Sequence, residues 1–408
     1  MIKSLLKLCA IWLITVIIPA MILWWHYIAD QKIETPQINS TIILSLGVVI
    51  GYIGYIKLFR HPGQRILSVM LPVICFVMIS IALFLLFSRV PYSIYQLTFS
   101  FVVSIGLIVF LQINKVPHTK QIIGYIPLGR AIKFKASDYT YLHELKNPMI
   151  HNHVDIIVAD LSSQALDEEW QRFLAYQVIS GMPVYHYLNV YESLTGRSPI
   201  QYLHENNLGA LQPKQGYRLI KWLIDIGIVL LSLPIILPLV LVICLLIMLE
   251  SSGGPIFVQQ RVGQGGKVFN MYKFRSMYIN APEQSQLVTQ IKDKRITKVG
   301  KWIRQWRVDE LPQFINVLKG EMSLIGPRPE LPTEVVRLEK EIPFYVYRQI
   351  VKPGISGWAQ VMQGDGHVEN IQTKLEYDFY YIKNFSFTLD FLIMIKTLQT
   401  MLTGFGAR

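Results

Sequence analysis

Asp309 and Glu310 stand side by side in RVDELPQFINVLKGEMSLIGPRPE (307–330), with Arg304 and Arg307 just before them. An isolated Asp-Glu pair says little. Acidic residues collect at helix starts, where the macrodipole is positive, and Pro312 also suits a helix start. The surrounding cations change the reading. Lys273 and Arg275 in YKFRSM, Arg304, Arg307, and Arg328 in GPRP form a set able to grip a polyanion. Arginine takes phosphate oxygens through a planar fork, and lysine acts as a point charge. A carboxylate among such cations can hold Mg²⁺ bridged to phosphate oxygens. A second carboxylate can attack phosphorus and form an acyl phosphate. These residue types point to metal-assisted phosphoryl chemistry on an anionic substrate.

The rest of the chain says where that chemistry takes place. Of 408 residues, 52% are hydrophobic and 16% charged, against about 25% charged in an average soluble domain. The apolar residues fall in blocks, which indicates membrane spans rather than one large core. A net charge of +12 favours anionic lipid or phosphorylated partners. No DNA- or RNA-reading motif is present, so nucleic acid is not an expected partner. Cys9, Cys75 and Cys244 each lie in an apolar run, which excludes a disulfide framework or a CxxC zinc site. The histidines show no HExxH-type spacing.

Four apolar segments, near 8–25, 41–59, 66–87 and 90–113, each approach the roughly 20 residues needed to cross hydrocarbon. The first lacks a small-residue cleavage site and ends in Trp24 and Trp25, so it reads as a retained span. Lys3 and Lys7 precede it; Lys57, Arg60 and Arg65 lie between the second and third; Lys115 and Lys120 follow the fourth. The positive-inside rule then puts the N-terminus and the chain after 114 in the cytoplasm.

Residues 119–212 read as a small soluble α/β unit, a spacer or regulatory module. HVDIIVADL (153–161) predicts a buried strand, 167–181 a helix ending at a glycine, and 182–188 a second strand. No glycine fingerprint accompanies them, and Asp160 reads as a turn residue rather than a catalyst.

A fifth apolar segment, 226–249, carries no charge but contains Pro234 and Pro238, with Ser232 just before. Proline removes an amide donor and clashes with the preceding turn, which predicts a bend or break. Cations flank both ends: Lys214, Arg218 and Lys221 before it, Arg261, Lys267, Lys273 and Arg275 after it. Two cytoplasmic ends predict a re-entrant helical hairpin over 219–249, with the Ser232 hydroxyl available to a freed backbone group. Two aromatic-rich stretches near the end, 342–361 and 377–408, fit either interfacial helices or core helices.

The blocks QQRVGQGGKVFNMYKFRSM, RVDELPQFINVLKGEMSLIGPRPE, KPGISGWAQV and YDFYYIKNFSFTLDFLIMIKT, in that order over about 215–408, closely resemble the bacterial sugar transferase family, the polyprenyl-phosphate sugar-1-phosphate transferases. The resemblance implies that Asp309 attacks the β-phosphate of a UDP-sugar and releases UMP, after which undecaprenyl phosphate takes the sugar phosphate. It implies Glu310 as a Mg²⁺ ligand, and Lys273, Arg275 and Arg328 as phosphate or nucleotide contacts. The family's Ser-Pro helix break is Ser232-Leu233-Pro234 here, one residue longer. The family's frequent NGR-like turn is replaced by MQGDGHV (362–368), where Asp365 and His367 read as shaping the loop.

The expected architecture has three parts. Residues 1–118 form an integral membrane α-helical bundle and 119–212 the α/β unit. Residues 213–408 form a mainly α (α+β) membrane-associated catalytic domain. The expected setting is the bacterial inner membrane with the catalytic domain facing the cytoplasm, and a homo-oligomer is left open. Two other classes stay in view: a membrane glycosyltransferase releasing UDP, and a non-catalytic polysaccharide assembly protein.

Overall fold

The computed structural model describes residues 2–29, 35–58, 66–113, 121–129, 131, 140–150, 153–200, 213, 215–278, 295–363 and 371–403. The chain divides into two compact units, Met1–Gly196 and Arg197–Arg408. Asp365 and His367, Lys214, and the loop cations Arg60, Arg65, Lys115 and Lys120 lie outside the described residues.

The first unit opens with four apolar helices. α1 (Ile2–Trp12) and α2 (Ile18–Ala29) run on through a π-helical turn at Leu13–Ile17 and together make the first. α3 (Thr35–Leu58), α4 (Ile66–Ser88) and α5 (Ile94–Ile113) follow. The stretches Leu6–Trp24, Thr35–Ile56 and Met70–Ser88 are long and apolar enough to cross a membrane, and α5 carries a shorter apolar stretch, Ile94–Ile108. Several of their polar side chains find partners within the helices, although Ser100 Oγ and Gln96 Oε1 are buried without one among the described residues. Thr15, Ser40, Thr41 and Ser45 donate to carbonyls four residues back, and Gln96 Nε2 donates to Thr41 Oγ1 at 2.8 Å.

The same unit contains β1 (Gln121–Tyr125), β2 (Thr140–Glu144), β3 (Ile156–Ala159) and β4 (Val184–His186), a parallel sheet in the order β2-β1-β3-β4. α6 (Glu168–Ile179) starts at Asp167, whose carboxylate accepts the Trp170 amide at 3.0 Å, an ordinary N-cap. α7 (Tyr187–Thr195) stops at Gly196, φ 68°, a left-handed position that suits glycine. Leu145, Val154, Ile157, Trp170 and Leu174 form the core. The expected strand–helix–strand order is present; β1 and β2 are additional strands.

Asp160 ends β3 as a buried turn residue. Its Oδ1 accepts the Ser162 hydroxyl at 2.8 Å and lies 3.4 Å from His186 Nε2. His186 Nδ1 accepts the Leu188 amide at 3.2 Å, which puts the imidazole proton on Nε2. That nitrogen is a donor and cannot deprotonate Ser162, so the Ser–His–Asp cluster ties strand ends together without forming a hydrolytic triad.

The second unit begins with α8 (Gln215–Glu250), 36 residues with Pro234 and Pro238 inside. Helical backbone continues through both prolines. Ser232 Oγ donates to Val229 O at 2.8 Å, not to the Leu230 carbonyl that Pro234 deprives of its donor. Back-bonding of this kind bends helices without breaking them. Lys221, Asp225 and Val229 are buried near the start and Ile243 and Ile247 near the end. Between them Leu231 is 81% and Ile235 77% exposed.

After α8 come an antiparallel hairpin, β5 (Ile256–Val262) and β6 (Val268–Phe274), then α9 (Lys298–Gln305), a 3₁₀ turn at Val308–Gln313 and α10 (Phe314–Leu318). β7 (Ser323–Ile325) pairs in parallel with β8 (Gly354–Ser356). Between these strands run α11 (Pro332–Glu341) and a 3₁₀ turn at Tyr345–Ile350. α12 (Trp358–Gln363), α13 (Ile371–Lys383) and α14 (Phe387–Thr403) complete the mixed helical and sheet unit. Trp358, Phe379 and Tyr381 are among the largest fully buried side chains, and Trp358 stacks on Tyr380. The core reading of the two aromatic stretches therefore holds for these residues.

Candidate active site

The turn bearing the acidic pair is pinned by its apolar neighbours. Val308 and Leu311 pack into a cluster with Ile243 and Ile247 of α8, Phe274 of β6 and Ile303 of α9. Residues three apart eclipse on a 3₁₀ helix, so burying these two aims Asp309 and Glu310 elsewhere. Arg307, at φ 53°, makes the sharp corner between α9 and the turn. A left-handed arginine is uncommon and costs free energy, which the packed cluster must offset.

The two carboxylates have different surroundings. Glu310 is buried. Its Oε1 accepts Arg328 Nη1 at 3.0 Å and lies 3.7 Å from Lys273 Nζ. Asp309 is half-buried and has no hydrogen bond or ion pair among the described residues. Burial, and then the charge of Glu310, push its carboxyl up to about 6, although Lys273, Arg304 and Arg328 pull the other way. Burial and Arg328 hold the Lys273 ammonium below its usual range, opposed by Glu310 and Asp309.

Lys273 is placed by β6, and β6 is placed by Asn316. The fully buried Asn316 amide accepts the Tyr272 N–H at 3.1 Å and donates to Asn270 O at 2.7 Å, so it pairs with the strand edge as a neighbouring strand would. Arg328 is placed through its own backbone. Gly326 N donates to Ser356 O at 2.8 Å, and a Cβ at Gly326 would lie 2.4 Å from Lys352 O, so only glycine fits that approach. Arg348 Nη2 donates to the Arg328 carbonyl at 2.8 Å and Arg261 Nη1 to the Pro329 carbonyl at 3.1 Å. Arg348 is itself held by Asp378 at 2.9 Å and Glu330 at 3.4 Å, and Lys374 also pairs with Glu330. Burial tends to raise the Glu330 carboxyl, but Lys374, Arg348 and Arg261 outweigh it and hold it near 2.

The expected cations divide. Lys273, Arg304 and Arg328 all act on Asp309, and Arg304 Nε also donates to Ser276 Oγ at 2.9 Å. Arg307 lines, with Glu310, a mostly apolar cavity of about 300 Å³ that extends past Phe314, Phe391 and Met401. Arg275 is engaged elsewhere. Its guanidinium donates to Ser252 O at 2.7 Å and to Ser251 O at 2.9 Å, capping the C-terminal end of α8, where a cation meets the negative end of the helix dipole.

At the start of α8, Lys221 Nζ and the Tyr217 hydroxyl donate to Asp390 Oδ2 at 2.7 and 2.6 Å, and the Tyr381 hydroxyl lies 2.8 Å from Asp390 Oδ1. The Ser323 hydroxyl donates to Asp225 Oδ2 at 2.6 Å. Sequence reasoning missed this network, as it missed Asn316, Arg261, Arg348, Glu330 and Lys374. A buried-charge argument flags Asp225 at the edge of the apolar run 226–249, and its neighbour Lys221 one turn back is legible locally, but nothing local points to Ser323 or Asp390.

Among the described residues no three His, Cys, Asp or Glu side chains converge as metal ligands. Mg²⁺ usually takes one or two protein carboxylates and completes its shell with water and substrate phosphates. Glu310, with Asp309 beside it, offers the one or two carboxylates that this mode takes.

Residues 216–404 match the family model described as bacterial sugar transferase. The chain is 41% identical over 402 residues to the UDP-N-acetylgalactosamine-undecaprenyl-phosphate N-acetylgalactosaminephosphotransferase of Aeromonas hydrophila, covering 97% of this chain and 94% of that one. A putative undecaprenyl-phosphate N-acetylgalactosaminyl 1-phosphate transferase of Bacillus subtilis (strain 168) is 44% identical over 149 residues, 36% of this chain and 82% of its own. The UDP-glucose:undecaprenyl-phosphate glucose-1-phosphate transferase of Escherichia coli (strain K12) is 41% identical over 186 residues, 44% and 40% of the two chains.

Proposed function

This chain belongs to the bacterial sugar transferase family, and from that premise we propose that it transfers a sugar 1-phosphate from a UDP-sugar to undecaprenyl phosphate by two displacements at phosphorus. One observation carries the division of labour. Glu310 is buried and locked to Arg328 and Lys273, while Asp309 beside it is half-buried and makes no bond among the described residues. A nucleophile must be available, and a residue paired to cations is not.

In the first displacement an Asp309 carboxylate oxygen bonds to the β-phosphorus, the bond to the bridging oxygen breaks, and UMP leaves with that electron pair. Arg328, Lys273 and Arg304 balance the charge that builds on the phosphoryl oxygens. In the second, a phosphate oxygen of the lipid attacks the same phosphorus and Asp309 leaves as carboxylate, giving a lipid diphosphate sugar. Glu310 would hold Mg²⁺, whose contribution is to neutralise the pyrophosphate. The apolar cavity that starts at Glu310 and Arg307 suits the first isoprene units of the acceptor.

α8 supports a membrane placement. Both its ends are anchored on one compact unit: Lys221 to Asp390 at the start, and Glu250 to the Lys298 and Val299 amides at the end. A compact unit lies on one side of a bilayer, which supports the reading that the exposed apolar middle of α8 enters and returns. We place that side in the cytoplasm of a bacterial inner membrane, where nucleotide sugars are made. The division 1–118, 119–212 and 213–408 belongs to the same proposal.

Membranes carrying the full chain, given UDP-N-acetylgalactosamine, UDP-glucose and UDP-galactose with and without undecaprenyl phosphate, test the reading. The full-length relative makes UDP-N-acetylgalactosamine the first donor to try. Lipid-dependent UMP is the expected product. UDP would make the protein a conventional glycosyltransferase, and no nucleotide release from any donor would favour an assembly role.

A further inference from the structure

A second cavity in the catalytic unit is lined by neither Asp309 nor Glu310. It encloses about 340 Å³ between the start of α8 and the segment leading into β8, and Arg218, Lys221, Trp222, Gln264 and Lys352 are among its walls. It meets the cavity beside Glu310 only at Lys221 and Asp225, the two residues that line both.

The charges on its walls are unbalanced. Lys221 is held by Asp390 at 2.7 Å and by Asp225 at 3.9 Å, and Asp225 also takes the Ser323 hydroxyl. Arg218 and Lys352 form no ion pair among the described residues. Among the described residues the exposed Arg218 guanidinium reaches only the Gln215 amide oxygen, at 3.4 Å. Lys352 is half-buried. Burial lowers its ammonium first; Asp225 raises it and Arg218 lowers it further, so the two cations are close enough to repel. Lys352 is partly desolvated and the exposed Arg218 repels it across the cavity, a cost that an anion between them would recover.

The position of the mouth narrows the kind of anion. Leu219 and Trp222 line it and are exposed, as are Ile220 and Leu223 beside them in the chain, at the N-terminal end of the apolar helix Gln215–Glu250. Tryptophan with neighbouring lysine and arginine marks the headgroup level of a bilayer. We propose that Arg218 and Lys352 form a binding site for a phosphate group at the membrane surface, separate from the Asp309–Glu310 site. The phosphate can belong to an anionic phospholipid headgroup or to a soluble phosphate, since the chemistry of recognition is the same. The site depends on neither the donor sugar nor the aspartyl intermediate.

The test uses the full chain in neutral detergent and follows its thermal midpoint with phosphatidylglycerol, with phosphatidylcholine, and with inorganic phosphate alone. A rise of roughly 2–4 °C is expected from a phosphate source that fills the site. A rise with phosphatidylglycerol only assigns the site to a lipid headgroup; a rise with inorganic phosphate as well assigns it to phosphate from either source. The Arg218→Gln/Lys352→Gln double variant should lose the rise, and Lys352→Arg should keep it. Removing the same charge from exposed α11, by Arg337→Gln/Lys340→Gln, should leave the rise intact, which separates a site from general attraction of a basic protein to anions. A full rise in the Arg218/Lys352 double variant, or no rise in the parent with either phosphate source, overturns the proposal.

Discussion

Arg328 Nη1 donates to Glu310 Oε1 at 3.0 Å across 18 residues of sequence, and its own carbonyl is gripped from behind by Arg348 at 2.8 Å. The arginine nearest the buried member of the acidic pair is thus fixed at both its head and its backbone. Arg328→Met should lower UMP release about 100-fold, the scale of removing one preorganised charge partner from a developing oxyanion. Arg348→Lys keeps the charge but cannot bond Asp378 and the Arg328 carbonyl in the same fork. It should lower kcat while leaving the donor KM nearly unchanged. Initial rates against donor concentration separate the two effects.

Asp309→Asn should abolish UMP release in a single turnover, even without lipid acceptor. Substantial retained release would remove Asp309 from the nucleophile's role, because the amide cannot replace the attacking oxygen.

The pH profile follows from the raised carboxyl of Asp309. With its pKa pushed up to about 6, the attacking carboxylate is lost below that pH. Single-turnover rate should fall about tenfold per pH unit on the acid side and level off above it. Glu310→Gln removes a charge that raises Asp309, so whatever rate remains should show its acid limb at lower pH. An unmoved limb would assign the titration to another group.

Glu330 links the site's support to acid stability. Its carboxyl is held near 2 against burial by Lys374, Arg348 and Arg261. A carboxylate depressed on folding contributes stability that is full above its unfolded value, about 4.3, and is lost as pH falls from there toward 2. The contribution is on the order of 3 kcal/mol. Glu330→Gln should lower stability at neutral pH and flatten its pH dependence between about pH 4.5 and 2, as followed by denaturant midpoints in detergent.

Lys221→Met would leave Asp390 buried with only its tyrosine partners. Breaking a buried pair on one side costs about 3–5 kcal/mol, so the yield of folded protein should fall sharply. Lys221→Met/Asp390→Leu should recover part of the loss, because Asp390 is then no longer a buried charge, although Asp225 still lacks the cation it shares with it. A double variant worse than the single would show the pair to be a net stabiliser.

Single cysteines at Gln215 and Gln264, in a background lacking Cys9, Cys75 and Cys244, test the path of α8. Both should resist an impermeant thiol reagent in intact cells and react once the membrane is opened. Pro234→Leu/Pro238→Leu removes two helix-breaking residues, worth about 3 kcal/mol each in a helix interior, and should make position 264 partly reactive from outside. Outside labelling of 264 in the parent would sink the re-entrant reading.

Much of what depends on neighbours along the chain was legible in the sequence. The apolar helices follow from runs of side chains that need hydrocarbon or a core, and α6 from its period and its glycine stop. The acidic pair and its ordered motifs, adjacent by covalent connection, carry the family and its chemistry. The use to which each charge is put was decided by the tertiary structure. Arg275 and Arg328 look equivalent as cations near the pair, yet one caps α8 through Ser251 and Ser252 and the other meets Glu310. Asp225 and Asp390 lie 98 and 169 residues from Ser323 and Lys221, and no local pattern links such partners. A buried charge needs a partner of opposite sign at hydrogen-bond distance. Which partner it finds depends on how helices and strands pack, and that is a property of the folded chain rather than of any segment of it.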